Sequence, residues 1–183
     1  MLLLPYKSIY PTIGTDVFLA PHTTILGDVI VGNRSSIWYG CTIRGDVHSV
    51  RIGEFTNVQD NSVLHVTRER FPLTIGSYVT IGHAAMLHGC VLEDECFIGM
   101  SATVLDGAII EKHGMVAAGA LVPPGMRVKS NEIVAGVPAV FLRKQTPQEI
   151  EDIRASALRY AAFAMEHKTI NTSSTSEPPA PNR

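Results

Sequence analysis

His65, His83 and His88 are the residues whose types and spacing could do chemistry. Imidazole nitrogen is a common metal ligand. Three of them on one zinc leave a fourth position for a water whose pKa falls to about 7. The residues just before them index the histidines. His65 follows Leu64, His88 follows Leu87, and Arg44 follows Ile43. His83 lies two residues after Ile81, and Asp60 two residues after Val58. All five of these aliphatics belong to a series spaced by six, so which side chains meet depends on what that series builds.

The series begins Ile13, Leu19, Ile25, Val31, Ile37, Ile43. After a short insertion come Ile52, Val58 and Leu64, and after a longer one Ile75, Ile81 and Leu87. One residue is then skipped, and Leu92, Ile98, Val104, Ile110, Val116 and Val122 complete eighteen hexads. Gly often follows the aliphatic, as at Gly32, Gly53, Gly76, Gly82 and Gly99. A small or β-branched residue usually stands four places after it, as at Thr23, Ser35, Cys41, Ser62, Ala85 and Ala102. A period of six is neither helical nor a plain strand alternation. It fits a triangular coil with one short strand and one turn per hexad and three hexads per coil, so eighteen hexads predict six coils. The pattern resembles the hexapeptide-repeat left-handed parallel β-helix, an all-β solenoid, here over residues 1–130.

Residues 131–145 read as a Gly/Pro-punctuated connecting turn. Thr146-Pro147-Gln148-Glu149 is a capping box with Pro at the first helical position. It predicts a C-terminal α-helix over residues 146–168, packed on the β-helix through Ile150, Ile153, Ala157, Leu158, Ala161 and Met165. Residues 169–183, rich in Ser, Thr and Pro, read as a disordered tail.

Stacked coils lie about 4.8 Å apart. Three hexads separate Ile43 from Leu64 and Leu64 from Leu87, so Arg44, His65 and His88 form one column on one face. Two nitrogens bound to one zinc at about 2.0–2.1 Å lie roughly 3.3 Å apart, a gap that side-chain tilt closes. His83 and Asp60 stack on the preceding face. His83 therefore needs a second subunit, and a three-fold homotrimer supplies one by setting this face against the His65/His88 face of its neighbour. Spacing alone leaves two readings of the pair, metal ligands or a structural stack on a polar ridge. His22, His48, His113 and His167 lack such partners and read as surface residues.

Bulk properties narrow the classes. The chain has 183 residues, of which 45% are hydrophobic, enough for one domain with a tail. A net charge of -2 offers no basic field for nucleic acid. No run of apolar residues is long enough to span a membrane. The start, MLLLPYK, lacks a basic n-region and reads as an edge strand rather than a signal peptide. Cys41, Cys90 and Cys96 form no CxxC pair, which predicts a reduced, cytoplasmic protein. Cys41 and Cys96 occupy small-residue slots, and Cys90 reads as packed rather than as a ligand.

Arg44-Gly45-Asp46, Gln59-Asp60-Asn61, His65, Gly82-His83 and Leu87-His88-Gly89-Cys90 are together similar to the pattern of the γ-class carbonic anhydrase family, nearest its compact bacterial branch. The resemblance covers roughly residues 8–165, including the turn Gly136-Val137-Pro138-Ala139. It implies a trimer with metal at each subunit interface, His65 and His88 from one subunit and His83 from the next. It implies zinc, with Fe2+ or Co2+ able to replace it, and reversible hydration of CO2 to bicarbonate by a metal-activated water. In that setting Arg44 and Asp46 hold the interface, Asp60 is the cross-subunit partner of Arg44, Gln59 bonds the activated water, and Tyr160 lies near the site. The chain departs from the family archetype in one place. A long acidic loop with a shuttle glutamate is reduced to Val66-Thr67-Arg68-Glu69-Arg70-Phe71-Pro72. Glu69 is the sole carboxylate there, and the flanking arginines should hold it ionised. Two other functions stay open: a non-catalytic metal-binding scaffold, to which the short loop points, and an acyl-CoA-dependent acyltransferase, with which the repeat is compatible.

Overall fold

Short β-branched and aliphatic strands, each too small to bury a face alone, stack here into one continuous core. The computed structural model describes residues 1–173, and side chains through residue 169. From Ile25 to Val122 the hexad aliphatics are buried, while Ile13 and Leu19 at the open end are half-buried. The small slots beside them, among them Thr23, Ser35, Cys41, Ser62, Ala85 and Ala102, are buried as well.

The strands lie on three faces. The first carries Phe18–Leu19, Ser36–Ile37, Asn57–Val58, Thr80–Ile81, Phe97–Ile98, Met115–Val116 and Glu132–Ala135 in parallel register. The second runs from Leu2–Leu4 through Val63–His65 and Met86–His88 to Leu121–Val122. The third runs from Thr12–Ile13 through Leu73–Ile75 to Arg127–Val128. Two longer strands, Thr24–Val31 and Thr42–Ile52, round the corner between the second and third faces. Each face has seven parallel rungs, so the solenoid has about seven coils instead of the six expected. The extra coil comes from both ends. Leu2–Leu4 pairs with Thr24–Val31 as the expected edge strand, and the spacing of six continues past Val122 to Val128 and Val134, both buried.

At the corners the backbone turns through the left-handed region. One column of such corners is Asp16, Arg34, Phe55, Tyr78, Glu95, His113 and Asn131. Side chains stacked along it offset the cost of that conformation. Phe55 and Tyr78 lie parallel with centroids 4.9 Å apart, and the Arg154 guanidinium covers Tyr78 at 3.9 Å. Where coils press closest no side chain fits: a Cβ at Gly45 would stand 2.5 Å from the Asp28 carbonyl oxygen.

Residues 131–145 are not simply a connecting turn. Glu132–Ala135 extends the first face by pairing with Met115–Val116, and Val140–Lys144 folds back antiparallel on it. Ile133 and Val134 supply the inward apolar positions that make this possible. The C-terminal helix is Pro147–Ser173, longer than the 146–168 expected. The first residues of the expected tail are therefore helical, and residues 174–183 lie outside the described residues. Its N-terminus is a capping box: the Glu149 amide donates to Thr146 Oγ1 at 3.3 Å, and the Thr146 amide donates to the Glu149 carboxylate at 2.8 Å. The helix lies along the first face through Ile153, Ser156, Ala157, Tyr160 and Ala164. Leu158 and Met165, expected in the seam, are exposed instead. Small residues at Ser156, Ala157 and Ala164 let the helix approach a flat face, and the buried stripe is correspondingly narrow.

Candidate metal centre

The second face aligns the polar column. His88 pairs with His65 in parallel register, and Arg44 stands on the rung below, next to the Ile43–Leu64 pair. His65 Nδ1 and His88 Nε2 face each other at 3.0 Å. Their outer nitrogens both meet carboxylates. His65 Nε2 is 3.1 Å from Asp46 Oδ1, and His88 Nδ1 is 2.9 Å from Asp106 Oδ1.

These carboxylates decide where the ring protons sit. Burial pushes the Asp46 carboxyl up, but hydrogen bonds from Arg44 and His65 outweigh it and hold the group below the usual carboxylate range. Asp106 is likewise raised by burial and lowered further by Thr67 and His88. Both are therefore ionised at neutral pH and can only accept. The outer N–H of each ring must donate to its carboxylate, which leaves lone pairs on His65 Nδ1 and His88 Nε2. Arg44 Nη2, 3.3 Å from His65 Nδ1, donates to that nitrogen, a long bond that a bound metal would replace. A proton on His65 is disfavoured: burial first, then the nearby Arg44 and His88, pull its pKa down despite Asp46. Two acceptor nitrogens 3.0 Å apart repel unless a cation lies between them, and two ligands of one metal lie roughly 3.3 Å apart. The pair fits a divalent metal.

His83 occupies another place. It follows the strand Thr80–Ile81 on the first face, where its Nδ1 meets Asp60 Oδ2 at 2.8 Å, and its Nε2 has no partner among the described residues. Asp60 sits directly below it, as the hexad count predicted, and in this chain its partner is His83, while Arg44 pairs with Asp46. Gln59 is buried and its Nε2 donates to Asn57 Oδ1 at 3.1 Å. Asn57 Nδ2 donates to Thr80 Oγ1, and Thr80 reaches Ser156 on the helix at 3.4 Å. Tyr160 stands edge-on against Trp38 at 5.5 Å, its hydroxyl pKa raised by burial and then by Asp60. Gln59, His83, Tyr160 and Met100 line one groove of about 620 Å³ between the helix and the first face. The single chain thus presents two half-sites, the paired nitrogens on one face and His83 with Gln59 and Tyr160 on another. Among the described residues no three metal-ligating side chains converge within one chain.

Asn61, the last of the Gln-Asp-Asn run, serves the backbone by taking a left-handed corner with φ 59°. Cys90 is fully buried, its thiol pushed up to about 12 by burial, and it packs in the core. His113 bonds Glu95 and His167 bonds the Tyr39 hydroxyl, both at 3.0 Å, which makes them structural. Asp106 and Thr67 are not singled out by the sequence, where their signal is only partial. Asp106 stands one coil above Gly89, within reach of His88, but Thr67 lies in the insertion after Leu64, where the hexad index lapses. Glu69 lines a separate surface cavity of about 380 Å³ together with Asp46 and His48.

Residues 10–45 match the bacterial transferase hexapeptide family of six repeats. The chain is 52% identical over 166 residues to gamma carbonic anhydrase 1 of Arabidopsis thaliana mitochondria, with 88% of this chain and 60% of the plant protein covered. It thus spans about 60% of the length of that relative. To a carbonic anhydrase of Geobacillus kaustophilus it is 37% identical over 175 residues, with 96% of each chain covered. A solved hexapeptide transferase family protein from Anaplasma phagocytophilum is 43% identical and superimposes with a TM-score of 0.87 over 90% of this chain and 97% of that one.

Proposed function

The chain belongs to the γ carbonic anhydrase family, and from that premise we propose that it hydrates CO2 reversibly to bicarbonate at a zinc centre completed between subunits of a homotrimer. The observation that carries this reading is the pair of inward lone pairs, His65 Nδ1 and His88 Nε2, 3.0 Å apart with both outer N–H groups bound to carboxylates. The third ligand is His83 of a neighbouring copy, whose Nε2 is free on an accessible face. Exposed Val63 and Met86 flank the His65/His88 column, and exposed Met100 lies beside His83, so docking one face on the other buries apolar surface at the site.

When bound, zinc, or Fe2+ or Co2+ in its place, supplies Lewis-acid activation of a water at neutral pH. The chain's residues do the rest. Asp46, Asp60 and Asp106 orient the three rings. Arg44 holds Asp46 and, at the joined interface, stands within reach of the neighbour's acidic face. Gln59 and Tyr160 line the wall that meets the reacting water and CO2. The three cysteines are all free and buried, which suits the reducing cytoplasm.

Metal content per subunit, subunit mass in solution and CO2 hydration are measured on the same sample. About one metal per subunit, a trimer, and a hydration rate abolished by chelation and by His88→Ala are expected. A fully loaded trimer with no rate above buffer would sink the enzymatic reading and leave a metal-binding scaffold. An acyltransferase of the same repeat uses a single histidine general base and has no need of two stacked imidazoles, whereas His65 and His88 face each other at 3.0 Å. Tight CoA binding by calorimetry would reverse that ranking.

A further inference from the structure

We infer that Asp106, held by Thr67, is the positioning residue that makes His88 a ligand through Nε2, so that the short loop after His65 acts as a clamp on the metal centre. Asp106 Oδ1 receives two donors at once: His88 Nδ1 at 2.9 Å and Thr67 Oγ1 at 2.8 Å. The loop that provides Thr67 is closed on itself. The Thr67 amide donates to the Phe71 carbonyl at 3.0 Å and the Phe71 amide to the Thr67 carbonyl at 3.3 Å. Phe71 lies against the corners at Gly89 and Gly107. A side chain at Gly89 would collide with the Asp106 carboxylate, and Gly89 has φ 53°. Loop, glycine corner and carboxylate therefore converge on one imidazole.

The chemistry follows from the ring. A free neutral imidazole of histidine favours the proton on Nε2, which would turn an N–H toward His65 and block metal binding there. An ionised carboxylate on Nδ1 reverses that preference and leaves Nε2 as a lone pair, and such partners of a metal-binding histidine fix both tautomer and ring orientation. Thr67 fixes the carboxylate in turn. In place of an acidic arm reaching over the site, the seven residues 66–72 provide a hydroxyl that orients Asp106.

This inference rests on the functional reading only in taking His88 as a ligand, and its test reads binding and tautomer instead of turnover. Zinc affinity is measured by competition with a chromogenic chelator. The His88 tautomer is read from imidazole 15N shifts in the metal-free protein. Asp106→Ala should lower zinc affinity by about 10–100-fold and move the His88 proton to Nε2. Asp106→Asn keeps an acceptor oxygen and should retain the Nδ1–H form. Thr67→Val should weaken zinc binding less than Asp106→Ala and speed amide exchange in residues 66–72. If Asp106→Ala does not fold, Asp106→Asn and Thr67→Val carry the same readouts. Unchanged zinc affinity with His88 still protonated at Nδ1 in Asp106→Ala, or no effect of Thr67→Val on either affinity or exchange, would overturn the inference. A wild-type protein that binds zinc, loses it on Asp106→Ala and yet does not hydrate CO2 supports the clamp while sinking the proposed activity.

Discussion

Each ring of the candidate site commits one nitrogen to a carboxylate, which fixes the ring's orientation and its proton on that side. His65, His83 and His88 meet Asp46, Asp60 and Asp106. Other histidines are tied elsewhere, as His113 is to Glu95. The Asp46 pocket makes a pH prediction. Its folded pKa lies below the unfolded value of about 3.9, because Arg44 and His65 outweigh the upward push of burial. Its contribution to stability is therefore fully present above that unfolded value and is lost as pH falls through the folded one. Arg44→Ala removes the main lowering partner and leaves the burial. The Asp46 carboxyl should then titrate at higher pH, seen by carbon NMR of that side chain, with acid unfolding beginning at correspondingly higher pH. An unmoved titration would show that Arg44 does not hold Asp46 in solution.

The helix and the coils fail in different ways. Pro147–Ser173 is seated by its capping box, its Arg154 contacts and a few small buried residues. Thr146→Ala should cost about 1 kcal/mol by denaturant unfolding. Glu149 adds an acid-sensitive element: hydrogen bonds from Arg143 and Thr146 depress its pKa from 4.5 to about 2. A depressed carboxylate stabilises above its unfolded pKa, so the helix cap should weaken as pH drops from about 4.5 toward 2. Helical circular dichroism lost in that window, and shifted upward by Arg143→Ala, would follow. A core rung behaves otherwise. Ile110 is fully buried and lies on the third face, off the His65/His88 column. Ile110→Ala should cost roughly 2–5 kcal/mol through the cavity it leaves, with metal stoichiometry unchanged in the folded fraction.

At the scale of the whole molecule, the His65/His88 pair and His83 lie on different faces of one solenoid, so in the proposed reading assembly decides whether a centre exists. His83→Ala and His88→Ala should each abolish hydration as pure trimers. Mixed by co-refolding at equal amounts, about a quarter of the interfaces should pair an intact His65/His88 face with an intact His83, if subunits assort at random in a cyclic trimer. Recovery of about that share of activity and bound metal is the expected outcome. Mixtures as dead as their parents would show that the ligands do not come from two subunits.

Much of this was legible in the hexads. The series from Ile13 to Val122 predicted the solenoid, its inward positions and the vertical column of Arg44, His65 and His88, because a parallel stack of equal rungs converts sequence period directly into spatial register. The separation of His83 onto another face followed from the same index, as did the stacking of Asp60 beneath it. Three things did not follow. The coil count missed both ends, where Leu2–Leu4 adds a rung before the series and the spacing of six runs on through Val128 and Val134. The helix seam went to small residues over Leu158 and Met165, since closeness to a flat face rewards lack of bulk. The Thr67–Asp106–His88 chain was hidden because an insertion has no register until it folds. A repeating sequence determines which residues share a column. Only the tertiary structure decides which nitrogen of each ring faces inward, because that depends on carboxylates brought in from other coils.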